Sequence, residues 1–155
     1  MIKKILSLVA LAVSSEIQAQ QCQNKEIALN YITSFLGKPY HWGGDDPVQG
    51  FDCSGLAIEY LRCRGILNNG DDFTAAKLYT MFVGVEKPKR GDLVFYKNSN
   101  DKIIHVEIML NKELSIGASG GGSKTLTVED AIKQNAFIKI NNIYNRKGIA
   151  GFARP

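Results

Sequence analysis

A chain of 155 residues with 19 basic and 15 acidic side chains has room for one domain with a substantial core, and not for two. The net charge of +4 is small and scattered, whereas a nucleic-acid binder wants a basic stripe, so no nucleic-acid partner is expected. Beyond the N-terminal segment, no stretch is apolar and long enough to cross a bilayer.

Lys3 and Lys4 precede an apolar run from Ile5 to Val13, and Ile17-Gln18-Ala19 offers a small residue for cleavage. This has the outline of a secretory signal peptide, with an apolar part too short for a permanent anchor. Residues 1–19 are thus read as the signal and 20–155 as a single domain. That domain keeps 17 basic and 14 acidic residues, a charge of +3, which suits attraction to an anionic surface. Ala19-Gln20-Gln21 before Cys22 is no lipoprotein signal. The expected location is the periplasm or the medium, with no stable membrane anchor.

Asn24 can cap a helix running through Leu36, with Ile27, Ala28, Tyr31, Ile32, Phe35 and Leu36 on its buried stripe and Gly37 stopping it. Tyr40-His41-Trp42-Gly43-Gly44 is too rich in glycine to be helical. After it, Phe51-Asp52-Cys53-Ser54-Gly55-Leu56 opens a second helix, on which Leu56, Ala57, Tyr60 and Leu61 recur at helical spacing. That helix is expected to end at Gly65, with Arg62 and Arg64 complementing its dipole. Cys53 therefore sits at a helix N-terminus, where unpaired N–H groups favour thiolate over thiol. Most cysteines are inert small hydrophobes. Here Asp52 and Ser54 are good caps, and Gly55 admits another backbone or a substrate.

Shorter helices are predicted over 74–82 and 128–135, and strands at 92–96, 103–110, 113–118, 136–144 and 149–153. The strands at 92–96 and 103–110 should pair as an antiparallel hairpin across Lys97 to Lys102. His105 lies in the apolar run Ile103 to Leu110. Alone it reads as a core histidine; beside a cysteine on a helix start it becomes a general base. The glycine-rich segment from Gly117 to Thr125 lacks the glycines of a phosphate loop and reads as a flexible loop bordering the cleft.

Four segments now stand in order: Gly37-Lys38-Pro39-Tyr40-His41-Trp42-Gly43-Gly44, Phe51-Asp52-Cys53-Ser54-Gly55-Leu56, Arg90-Gly91-Asp92-Leu93-Val94-Phe95-Tyr96 and His105-Val106-Glu107-Ile108. Together they resemble the NlpC/P60 family of papain-like cell-wall cysteine peptidases, over residues 25 to 155. The resemblance implies an α+β fold with N-terminal helices packed on a central antiparallel β-sheet. It implies hydrolysis of peptide bonds in peptidoglycan stem peptides by a Cys53–His105 couple, commonly at a γ-D-glutamyl bond, with no cofactor. Tyr40 matches a tyrosine that assists the oxyanion or walls the cleft. Asp52 and Ser54 match residues that recognise the free amino end of a stem peptide, beside their capping role. His41 has no family role and is read as a cleft or surface residue.

The family's third polar residue, often histidine, falls on Gly117, which has no side chain. Glu107 and Ser119 are the candidates to orient His105 instead, with a backbone carbonyl or water equally open; restoring histidine at 117 is expected to raise turnover if the site is merely under-supported. Gly117 also motivates a rival reading, an inactive relative that binds wall peptides. A phage or toxin version of the same enzyme, aimed at a host or competitor wall, and a metabolic amidase on the same scaffold are further alternatives. The protein is expected to act as a monomer. Cys22 and Cys63 are free to form a disulfide, though the sequence does not decide it, and the cysteine spacings give no metal site.

Overall fold

A computed structural model describes residues 22–155; the segment 1–19 read as a signal peptide lies outside the described residues. Helix α1 covers Lys25–Thr33, and Asn24 caps it by accepting from the Glu26 and Ile27 N–H groups. Strands β1 (Asp45–Asp46) and β2 (Gly50–Phe51) form a small ribbon leading into helix α2, Cys53–Cys63. Helix α3 (Ala75–Met81) follows, and then β3 (Val83–Val85), β4 (Leu93–Lys97), β5 (Ile103–Met109) and β6 (Leu114–Ser119). Helix α4 (Val128–Gln134), β7 (Phe137–Asn142), a 3-10 turn (Ile143–Asn145) and β8 (Ile149–Arg154) complete the fold.

Six strands make one antiparallel sheet in the order β3-β8-β4-β5-β6-β7. The expected β4–β5 hairpin is present, with Leu93 opposite Ile108 and Tyr96 opposite His105. Strand alternation divides the sheet into two faces. Leu93, Phe95, Val106, Ile108, Ile116, Ala118 and Ile138 join the helices in the main core, with Leu56, Ala57, Tyr60 and Leu61 of α2 fully buried among them. Each such leucine contributes ~1.5–3 kcal/mol by leaving water. The opposite face carries a smaller cluster of Val94, Tyr96, Met109 and Ile143.

The fold is the α+β arrangement anticipated from sequence. Helix bounds agree to within a few residues, and the glycine-rich segment differs at its start: Gly117 to Ser119 belong to β6. The edge strand β3 and the ribbon β1–β2 were not anticipated. They are two or three residues long, too short for an alternating pattern to register. A disulfide joins Cys22 to Cys63 with their Cα atoms 5.1 Å apart, tying the segment just before α1 to the last turn of α2.

Candidate active site

Cys53 is the first residue of α2 and the free cysteine of the described chain. Asp52 caps the helix: one oxygen accepts from the Gly55 N–H at 2.8 Å and the Ser54 hydroxyl at 3.1 Å. Its other oxygen accepts from the Gly43 N–H at 3.0 Å, pinning the glycine turn to the helix. Gly55 has no room for a side chain, because a Cβ there would strike the Gly44 carbonyl. The close approach anticipated at Gly55 is therefore by backbone. Arg62 anchors the other side of the turn by a 2.8 Å ion pair to Asp45.

His105 is 5 % exposed on β5, and Tyr96, its cross-strand partner, packs a ring 5.6 Å from the imidazole. The backbone N–H groups of Ser54 and of Val106, the residue after His105, lie near enough to the Cys53 sulfur to favour its ionised form. Cys53 and His105 line one cleft of ≈ 640 Å³ together with Tyr40, Trp42, Asp52 and Ser54. His41 is half-buried and is not among the residues lining that cleft.

The imidazole is held from within its own strand. His105 Nε2 lies 2.8 Å from Glu107 Oε1. Glu107, 1 % exposed, also accepts from the Ser119 hydroxyl at 2.6 Å, the Ser115 hydroxyl at 2.5 Å and the Asn141 amide at 3.0 Å. Ser115, Gly117 and Ser119 alternate onto the same face of β6, and Asn141 reaches them from β7. Both sequence-derived candidates thus belong to one network: Glu107 touches the histidine, and Ser119 supports Glu107. Burial pushes the Glu107 carboxyl up, but the hydrogen bond and charge of His105, with both serine hydroxyls, hold it at about 2. An ionised acceptor fixes the proton on Nε2 and leaves Nδ1 with a free lone pair.

Gly117 has a positive structural reason. A Cβ there would collide with Glu107 Cγ and stand 2.8 Å from its Cδ. The side chain of Glu107 fills the space that a residue at 117 would use. The expectation that histidine at 117 adds support is therefore corrected, because the position is already occupied.

Electrostatics correct a second expectation. Burial and the Asp52 charge push the Cys53 thiol up to about 11, outweighing the Ser54 and Val106 N–H groups and Arg146. Burial also pushes His105 below the ordinary imidazole value, against the opposing pull of Glu107. Helix-end polarity alone does not offset the cost of burying this thiol. Tyr40, 4 % exposed, stays protonated, raised by burial and by the charges of Cys53 and Asp52.

Ser115, Asn141, Trp42 and Arg146 escaped sequence reading. For Ser115 a signal existed: its period-2 spacing with Gly117 and Ser119 puts all three on one face. Asn141 and Arg146 enter from far along the chain, where spacing carries no information. No cluster of metal-ligating side chains occurs among the described residues.

A cysteine at a helix start and a carboxylate-backed histidine on an antiparallel sheet line one cleft. The model of the NlpC/P60 family matches residues 37–142, and the chain belongs to that family. It is 37% identical over 76 residues to murein DD-endopeptidase MepH of Escherichia coli, covering 46% of this chain and 27% of MepH. It is 30% identical over 122 residues to peptidoglycan endopeptidase RipB of Mycobacterium tuberculosis, covering 69% and 48% of the two chains. With the gamma-D-glutamyl-L-lysine dipeptidyl-peptidase of Bacillus subtilis it shares 30% identity over 134 residues, covering 82% and 44%. The chain thus spans less than half the length of each of these curated relatives. The solved RipB structure superposes with a TM-score of 0.63 at 25% identity, covering 89% of this chain and 66% of that one. An NlpC/P60 protein of Bacillus cereus gives 0.67 at 22% identity, covering 84% and 40%, which speaks to fold alone.

Proposed function

We propose that the protein is a cysteine peptidase that hydrolyses peptide bonds in peptidoglycan stem peptides, with Cys53, His105 and Glu107 as its catalytic groups. The observation that carries this reading is a helix-start cysteine sharing a cleft with a histidine whose Nε2 lies 2.8 Å from a buried carboxylate. Glu107 supplies the orienting group whose absence at Gly117 had favoured an inactive binder. The names of the relatives support the wall substrate.

In the mechanism, His105 Nδ1 takes the Cys53 proton as the sulfur attacks the scissile carbonyl carbon. The oxyanion is held by the Cys53 N–H at the start of α2, with the Tyr40 hydroxyl beside it. His105 then gives its proton to the leaving amine as the C–N bond breaks. Water, deprotonated by His105, attacks the thioester, releasing a carboxylate and restoring the thiol. Asp52 and Ser54 take the free amino end of the stem peptide. The signal-like N-terminus and the Cys22–Cys63 disulfide support action outside the cytoplasm, where such bonds persist.

Purified peptidoglycan incubated with the protein should release peptide fragments identifiable by mass, and Cys53→Ala should release none. Turnover retained in Cys53→Ala ends the reading.

A further inference from the structure

Arg146 follows the 3-10 turn Ile143–Asn145 and lines the same cleft as Cys53 and His105. Its guanidinium carbon stands 5.2 Å from the centroid of the Tyr96 ring, the ring that also packs on His105. Stacking fixes a planar cation without using its five N–H donors. The other arginines are engaged: Arg62 pairs with Asp45, Arg90 with Glu26 and Arg154 with Asp92, while Arg64 donates to the Tyr60 hydroxyl. Arg146 has no hydrogen bond and no ion pair among the described residues, although it is half-buried.

The acidic groups of the cleft do not satisfy it. Asp45 is committed to Arg62, and Asp52, which serves the helix cap and the glycine turn, makes no ion pair with Arg146. Asp72 lines the cleft and is exposed, with no ion pair to Arg146. A half-buried guanidinium with an open fork matches one ligand shape best, a carboxylate gripped by two parallel hydrogen bonds. Arg146 shares the cleft with Cys53 and His105 and the Tyr96 ring with His105, so an anion bound to it would lie in the same cleft as both.

We propose that Arg146 is a specificity residue, clamping a free carboxylate of the substrate peptide next to the scissile bond. The inference rests on the peptidase reading and adds to it the feature by which a substrate is chosen. A bound carboxylate neutralises the cation that opposes protonation of His105. The acid substrate therefore gains in turnover as well as in binding. In a wall peptide the carboxylate comes either from a γ-linked glutamyl residue on the acyl side or from the diamino acid on the amine side.

The test compares synthetic stem peptides carrying a free acid or a carboxamide at each of these two positions. Cleavage is measured with wild type, Arg146→Gln, Arg146→Lys and Lys102→Gln, and binding is measured in a Cys53→Ala background. Wild type should prefer the acid by about tenfold or more in kcat/KM at one position, which identifies the carboxylate. Arg146→Gln should bring that ratio near one, and Arg146→Lys should keep part of it. The clamp is overturned if Arg146→Gln keeps the wild-type ratio, or loses acid and amide cleavage equally. It also falls if Lys102→Gln, which removes the lysine lining the same cleft, alone abolishes the preference, or if wild type cleaves acid and amide alike. Absence of both cleavage by wild type and binding by Cys53→Ala overturns the peptidase reading together with the clamp.

Discussion

Glu107 occupies the volume that a side chain on Gly117 would need, and the two residues are one solution rather than two separate oddities. A carboxylate on the histidine's own strand does the orienting, and the strand beside it gives up its side chain to make room.

Gly117→Ala and Gly117→His should therefore lower turnover, and each should destabilise the fold by about 1–3 kcal/mol through overpacking. Combining Gly117→His with Glu107→Ala removes the overlap and should recover part of the turnover lost by either change alone. Chemical denaturation alongside fragment release checks both statements. A Gly117→His enzyme faster than wild type contradicts them.

Glu107→Gln should reduce kcat by about 10–100-fold with little change in fold, since orienting partners of a reactive imidazole are worth roughly that much. The Ser115 hydroxyl can rotate to accept from the new amide, so the network stays closed. Ser119→Ala and Asn141→Ala should show smaller losses, because they act on His105 only through Glu107. Steady-state kinetics with thermal melts separates chemistry from folding.

Stability should fall on acidification in two stages. His105 has its affinity for a proton lowered by burial from the ordinary 6.5. The unfolded chain thus takes up a proton first, and stability is lost as pH drops below that value. Glu107, held at about 2 against an unfolded 4.5, adds stability that is present above 4.5 and lost toward 2. Urea midpoints from pH 8 to 3 measure both stages, and Glu107→Gln should remove the lower one.

Much of this site was legible from residue patterns. Asp52 before Cys53 marked the helix start by cap chemistry, and the apolar run around His105 marked a buried strand. Glu107 was a candidate because residues two apart share a strand face. The partition between Glu107 and Ser119 was not legible, because it depends on how β5, β6 and β7 align, and side chains separated by up to 34 positions meet there. The upward push of burial on the Cys53 thiol was not legible for a related reason. Local sequence displays the helix end, whereas burial is set by the whole fold.

Loss of the Cys22–Cys63 bond, by reduction or by replacing both cysteines with serine, should destabilise the domain by up to about 4 kcal/mol, the chain-entropy value for a loop of 41 residues. Turnover at moderate temperature should survive, since neither sulfur lines the cleft. Calorimetry of oxidised and reduced protein, with activity assays on each, decides the matter.

The placement of the three sulfurs along α2 also bears on how the chain matures. Cys53 and Cys63 stand at opposite ends of one helix, about 15 Å apart at 1.5 Å per residue, far beyond the reach of a disulfide. Once α2 has formed, oxidants meet a single free thiol and a closed pair, and thiol titration of the native protein counts Cys53 one for one. A chain oxidised before α2 forms has no such protection. Cys53 paired with either other cysteine would thus be the chemical scar of premature oxidation, readable by peptide mapping of any inactive fraction.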